Sequence, residues 1–163
     1  MDLFHVSCKP YKKGTFISSE EFEHTEYYNN SIKKGQNWID EYLDSIRPDG
    51  TPERKKTLFT FDSLGNCFVF KKGQCPDGLN YYKVKMVNPI GCPMCLTDKL
   101  KKDSEEYNKR IGAEYWSPKK KWKFLEYLSD EMQIIEIMAE PDSMEKIKGQ
   151  CNYLYDFEQK NKI

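Results

Sequence analysis

Tyr81-Tyr82-Lys83-Val84-Lys85-Met86-Val87 places an apolar residue at 82, 84 and 86 and a lysine at 83 and 85. A period of two over seven residues describes a β-strand with one face on a core and one in water, and strands of that kind belong to antiparallel sheets. Pro89, Gly91 and Pro93 end the strand. Upstream, 73–78 is a loop, and before it Thr57-Leu58-Phe59-Thr60-Phe61 is a β-type run. There Asp62-Ser63 can cap a short helix carrying Leu64, Cys67, Phe68 and Phe70. Over 30–46, Ile32, Trp38, Ile39, Tyr42, Leu43 and Ile46 recur at helical spacing, and Arg47-Pro48-Asp49-Gly50 ends that helix. Ser18-Ser19-Glu20-Glu21 has the form of a capping box opening a helical region, and Leu3-Phe4-His5-Val6-Ser7 is a short strand closed by Pro10 and Gly14.

Downstream, the composition predicts a helix over 96–110 with Gly112 as its stop, then a short strand Ala113-Glu114-Tyr115-Trp116. A helix is expected over 119–128 with Trp122, Leu125 and Leu128 inward, and a strand over 132–138. Beyond Pro141, Asp142 with Glu145 resembles a cap for an amphipathic segment whose apolar face is Met144, Ile147, Cys151, Leu154 and Tyr155. Short strands separated by long loops indicate α+β architecture with a twisted, mainly antiparallel sheet and flanking helices, rather than a doubly wound sheet. The chain has no repeat or linker, so 1–163 is expected to form a single domain.

Hydrophobic residues make up 38% of the chain, and eleven Tyr, nine Phe and three Trp supply the contact area of a folded core. Lys plus Arg and Asp plus Glu number 26 each, so no overall field draws the molecule to nucleic acid or an anionic membrane. No apolar stretch reaches membrane-spanning length, and Met1-Asp2-Leu3-Phe4-His5 does not open a basic and then apolar leader, so a cytoplasmic location is expected. In that setting the six cysteines are read as thiols. Cys92-Pro93-Met94-Cys95 is the pair at metal-ligand or redox spacing, and a structural zinc would need two more ligands from the scattered Cys8, Cys67, Cys75, Cys151 and His24. A plain turn is the preferred reading and no metal is expected. The phosphate-binding glycine patterns are absent, as are the G-x-S-x-G and H-E-x-x-H signatures.

His5 alternates with Phe4 and Val6, so its ring faces a cleft or solvent, where it either fixes a ligand hydroxyl or serves as a satisfied structural group. Glu114 is either a functional carboxylate or an ordinary charge at a strand edge. Trp116, Trp122, Phe124 and Tyr127 read first as core. Lys119-Lys120-Lys121 with Lys123 is either a solvated run or a phosphate contact.

The opening Leu3-Phe4-His5-Val6-Ser7 resembles the aromatic-His-x-Ser/Thr strand of ADP-ribosyltransferases, including rifampin-modifying and DNA-modifying members. Leu58-Phe59-Thr60-Phe61-Asp62 looks like that family's second strand leading into a helix, and 81–87 followed by Asn88-Pro89 looks like its next strand. The order of elements agrees over most of the first 140 residues, although only two or three short motifs are specific. The resemblance implies an ADP-ribosyltransferase-like split sheet and NAD as co-substrate, with transfer to an acceptor that could be protein, nucleic acid or small molecule. It implies that His5 and Ser7 orient the nucleotide and that Phe59, Thr60 and Phe61 form the nicotinamide side. Glu114 with His5 would then be the catalytic pair, with Glu126 and Glu136 as poorer substitutes. Two departures are that phenylalanine stands where the family commonly has tyrosine, and that 88–96 contains no carboxylate. They leave open a non-catalytic binding or interaction domain on the same scaffold.

Overall fold

The computed structural model describes residues 1–21, 23–159 and 163. Its strands form two antiparallel sheets. In the first, β1 (Leu3–Ser7) pairs with β4 (Asn80–Met86), β4 with β7 (Glu131–Met138), and β7 with β2 (Phe16–Ser18). In the second, β6 (Leu125–Ser129) lies between β3 (Leu58–Thr60) and β5 (Ile90–Pro93). The sheets meet at one isolated bridge, where Phe4 N–H donates to the Phe61 carbonyl (2.7 Å) and Phe61 N–H donates back to that of Phe4 (2.8 Å).

The alternation in β4 is realised as expected on one face. Tyr82, Val84 and Met86 pack with Leu3, Ile17, Met132 and Ile134. The opposite face is covered at its N-terminal end, where Tyr81 joins a larger core with Val6, Cys67, Phe61 and Phe124. Helix α3 (Leu64–Lys71) forms where the cap signal puts it, with Ser63 Oγ accepting from Asn66 N–H at 3.1 Å. Such a cap contributes about 1 kcal/mol.

Several elements differ from the sequence reading. The expected helix over 30–46 is two helices, α1 (Glu26–Lys33) and α2 (Asn37–Ser45), broken at Gly35, whose φ of +68° is left-handed. The first helix is capped by Thr25, whose Oγ1 accepts from Tyr28 N–H, while Ser18 precedes only a 3₁₀ turn at Ser19–Glu21. Residues 113–116 are not a strand but the last turn of α4 (Glu105–Trp116). Gly112 does not stop that helix; a Cβ there would lie 2.2 Å from Ile46 Cδ1, so the glycine serves the packing of α4 against the end of α2. The helix expected over 119–128 is replaced by irregular chain and β6, because Leu125 to Ser129 bridges β3 and β5. A 3₁₀ helix at Met94–Lys99 precedes α4.

Helix α5 (Ser143–Gln159) is the largest reversal of face. It crosses α3 backbone to backbone: a Cβ on Gly149 would sit 2.4 Å from Gly65 O, and one on Gly65 would sit 2.0 Å from Glu145 O. Near its far end the Asp156 carboxylate accepts from the backbone N–H of Lys123 (2.9 Å) and Phe124 (2.7 Å). The stripe expected to face the core, including Met144, Ile147 and Leu154, is consequently exposed. Among the described residues no helix is long and apolar enough to cross a membrane.

Candidate functional site

Beyond the Phe4–Phe61 bridge, β1 and β3 part, and a cleft of about 640 Å³ opens between them and is walled by α1 and the end of α3. His5, Ser7 and Phe59 all line it. His5 Nδ1 lies 2.8 Å from the Phe59 carbonyl oxygen. A carbonyl only accepts, so Nδ1 carries the proton and Nε2 is left as an acceptor. Loss of surrounding water lowers the His5 pKa to about 4, against the opposing pull of the Phe59 carbonyl, with nearby Lys71 adding to the fall. The ring is therefore neutral at pH 7, in the form that accepts a hydrogen bond from a hydroxyl.

Ser7 Oγ accepts from Lys9 N–H at 2.9 Å and so holds the chain as it leaves β1. Phe59 belongs to an aromatic cluster with Tyr27 (centroids 5.2 Å apart) and Phe70 (5.6 Å), the latter two being stacked. Beneath it lies Arg54, fully buried, its guanidinium 5.2 Å from the Phe59 ring centroid and 5.9 Å from that of Tyr27. Arg54 Nε donates to Asp40 at 2.7 Å, and Nη1 donates to Tyr115 Oη and Glu126 Oε1. Burial raises the Glu126 pKa, with Arg54 opposing; Arg54 itself is held charged by Glu126, Tyr115 and Asp40 despite burial. This node fixes the floor beneath the aromatic pair.

The structure does not bring the other sequence-selected residues to the cleft. Thr60 is buried with Oγ1 3.1 Å from Met86 Sδ, and Phe61 is core, against Phe70 and Phe124. Because successive side chains of a strand alternate, Phe59 and Thr60 take opposite faces of β3. Glu114 lines a separate cavity of about 620 Å³ beside Ile46 and Gly112. Its Oε1 accepts from Lys119 N–H, Lys120 N–H and Trp122 Nε1–H, each at 3.0 Å. Glu114 thus organises the turn that carries the basic run. Lys123 is held instead against α5, with Nζ 4.0 Å from the Tyr155 ring centroid. Glu126 lies inside the core and Glu136 is exposed on β7 opposite Lys83.

Sequence reasoning missed Tyr27, Lys71 and Glu26, all lining the cleft. Lys71 is buried, and its Nζ is 3.6 Å from Glu26 Oε1, a carboxylate about half exposed. Burial lowers the Lys71 pKa while Glu26 pulls it back up. The signal for Tyr27 was the Thr25 cap, which starts the helix four residues before Asn30 and turns the aromatic residue into its first turn. The thiol reading also fails for one pair: Cys8, immediately after β1, is disulfide-bonded to Cys75, beyond the end of α3. The two are 67 residues apart in sequence and become neighbours only through the fold. Cys8 Sγ, Cys75 Sγ and a Glu26 carboxylate oxygen all lie within 4.8 Å of one another. Cys92 and Cys95 are fully buried in β5 and the following turn, and burial pushes the Cys92 thiol up to about 12.

No family model matches this chain, and no curated protein matches it either.

Proposed function

We propose that the β1–β3 cleft binds NAD on an ADP-ribosyltransferase-like scaffold, and that the protein acts as a nucleotide-binding module rather than a transferase dependent on Glu114. The observation that carries this reading is the convergence of His5, Ser7 and Phe59, selected from two separate sequence motifs, on one cleft. A neutral His5 with Nε2 as acceptor suits a ribose hydroxyl. Tyr27, half-buried at the cleft, offers an aromatic surface to a nicotinamide ring with the buried Phe59 ring packed behind it, and Tyr27 supplies the hydroxyl-bearing aromatic that the second strand lacks. Lys71 supplies a cation for phosphate. A cytoplasmic setting belongs to the same proposal.

Glu114 supports the binding reading over the transferase reading, since it lines another cavity and its Oε1 takes three hydrogen bonds from its own turn. A second reading, ADP-ribosyl transfer to an unidentified acceptor, is favoured by Glu26, a carboxylate that does line the cleft. Stabilising positive charge on the ribose as nicotinamide departs needs a carboxylate fixed beside it, and Lys71 already neutralises part of the Glu26 charge.

Calorimetric NAD titration and nicotinamide release by wild type, His5→Ala, Glu114→Ala and Glu26→Gln separate these. Binding without nicotinamide release, weakened in His5→Ala and retained in Glu114→Ala, is the expected result. Release that survives Glu114→Ala and falls in Glu26→Gln selects the transferase reading with Glu26. Failure of folded wild type to bind NAD rejects both.

A further inference from the structure

The rim of the cleft carries a second chemistry that needs nothing bound inside it. Cys8 leaves β1, Glu26 is the first residue of α1, and Cys75 follows α3, so three separate elements deliver two sulfurs and a carboxylate to one place. From this arrangement we infer that Cys8, Glu26 and Cys75, once their disulfide is reduced, form a zinc(II) site of two thiolates and one carboxylate.

The backbone around these ligands is fixed independently of the disulfide. Asn80 Nδ2 donates to the carbonyls of Ser7 and Cys8, both at 3.3 Å, and anchors the chain at Cys8. Gln74 N–H donates to the Lys71 carbonyl (3.1 Å) and Gln74 Nε2 to that of Phe70 (3.0 Å), holding the residue before Cys75. Glu26 sits in the first turn of a helix capped by Thr25. None of these bonds involves the disulfide, so they remain to hold the three residues near one another after reduction. Tetrahedral zinc with Zn–S bonds of about 2.3 Å requires its sulfurs about 3.8 Å apart, and the Cys8 and Cys75 Cα atoms, 5.3 Å apart, permit that separation by side-chain rotation once the disulfide is open.

The donor set is chemically matched. Two thiolates and a carboxylate suit zinc, and three protein ligands leave its fourth position to water or a molecule in the cleft. With zinc bound, the site carries one net negative charge, which Lys71, 3.6 Å from Glu26 Oε1, balances. Half-burial leaves the disulfide within reach of a dithiol. The dithiol gives two electrons and two protons to the Cys8–Cys75 bond and leaves as its own disulfide. Zinc then displaces the two protons, and the sulfurs bind as thiolates. Reoxidation by a disulfide reverses both steps and expels the metal.

The full chain, reduced with a dithiol and desalted without oxygen, is titrated with zinc against a chromophoric competitor, and cobalt(II) is used to read the ligand field. The reduced protein is expected to take up one zinc per chain at a site lost in the oxidised protein, and the cobalt form to show sulfur-to-metal charge transfer. Cys8→Ser and Cys75→Ser should each abolish the site. Glu26→Gln, at a half-exposed position, should fold normally and bind zinc at least about tenfold more weakly, since even outer partners of metal ligands are worth that much. No uptake by reduced wild type, uptake that persists in Cys8→Ser or Cys75→Ser, or unchanged affinity in Glu26→Gln overturns the assignment.

Discussion

His5 and Glu114 are the two residues that the sequence marks for chemistry, and the structure uses them in opposite ways. Around Glu114 three donors from residues five to eight positions ahead converge on one oxygen, so the carboxylate closes its own turn. Around His5 one ring nitrogen is spent on the Phe59 carbonyl, and the other belongs to a residue lining a cleft. A polar group whose bonds are spent on its own chain is architecture; one held by a single bond beside a cavity has capacity for a ligand.

The strongest way to break this comparison is to remove what seats the cleft from below. Arg54→Met leaves Asp40 and Glu126 buried without their cation, and the protein should lose about 3–5 kcal/mol in urea unfolding. The floor under Phe59 and Tyr27 goes with it, so any ligand affinity of the cleft should fall even where the variant remains folded.

The next effect is a pH dependence carried by His5. The folded ring titrates near 4 and an unfolded histidine near 6.5, so between those values the unfolded chain binds the extra proton. The His5 contribution is complete above pH 6.5, declines as pH falls toward 4, and levels off below. Its full swing is at most about 3 kcal/mol, reduced by the ring's partial exposure. Glu126 and Asp156, whose pKa values burial raises, act in the opposite sense. Comparing wild type with His5→Gln at pH 7 and pH 4.5 cancels them, and equal pH slopes in the two proteins would refute the assignment.

Glu114→Ala should cost about 2 kcal/mol by leaving the Trp122 indole and two backbone amides without their acceptor, and should change Trp122 fluorescence. Ligand affinity at the cleft should stay within twofold, roughly the resolution of a titration; a larger loss would join the two regions that the structure separates. Smallest is Leu154→Lys on the outer face of α5, which should shift stability by less than about 0.5 kcal/mol because that face is exposed. Strong destabilisation there would restore the inward face that the sequence pattern suggests.

The signals that survived were local. Ser63 caps α3, and the alternation at Tyr82, Val84 and Met86 gives one core face of β4, because both depend on residues within a few positions. The failures were contacts over distance. Gly112 looked like a stop until Ile46 filled the space beside it, and the apolar stripe of α5 looked like a core face until Gly149 met Gly65. Nothing near Leu125 announces that Leu125–Ser129 will bridge two strands from elsewhere in the chain. The cleft was half legible for the same reason: His5, Ser7 and Phe59 lie in readable strands, whereas Tyr27, Lys71 and the Arg54 node reach it from separate helices and loops.

Phe4 and Phe61 form the one isolated bridge between the sheets among the described residues, and the cleft begins one residue further along β1. Mechanically this is a pair of pliers whose rivet is two backbone hydrogen bonds and whose grips are His5 and Phe59. The rivet is main chain, so substituting either phenylalanine leaves its polar atoms in place, while Pro at 4 or 61 removes a donor and loosens the tool. Jaw spacing is then set by that main-chain rivet together with the His5 ring bonded across to the Phe59 carbonyl, and the other lining side chains decide what is gripped.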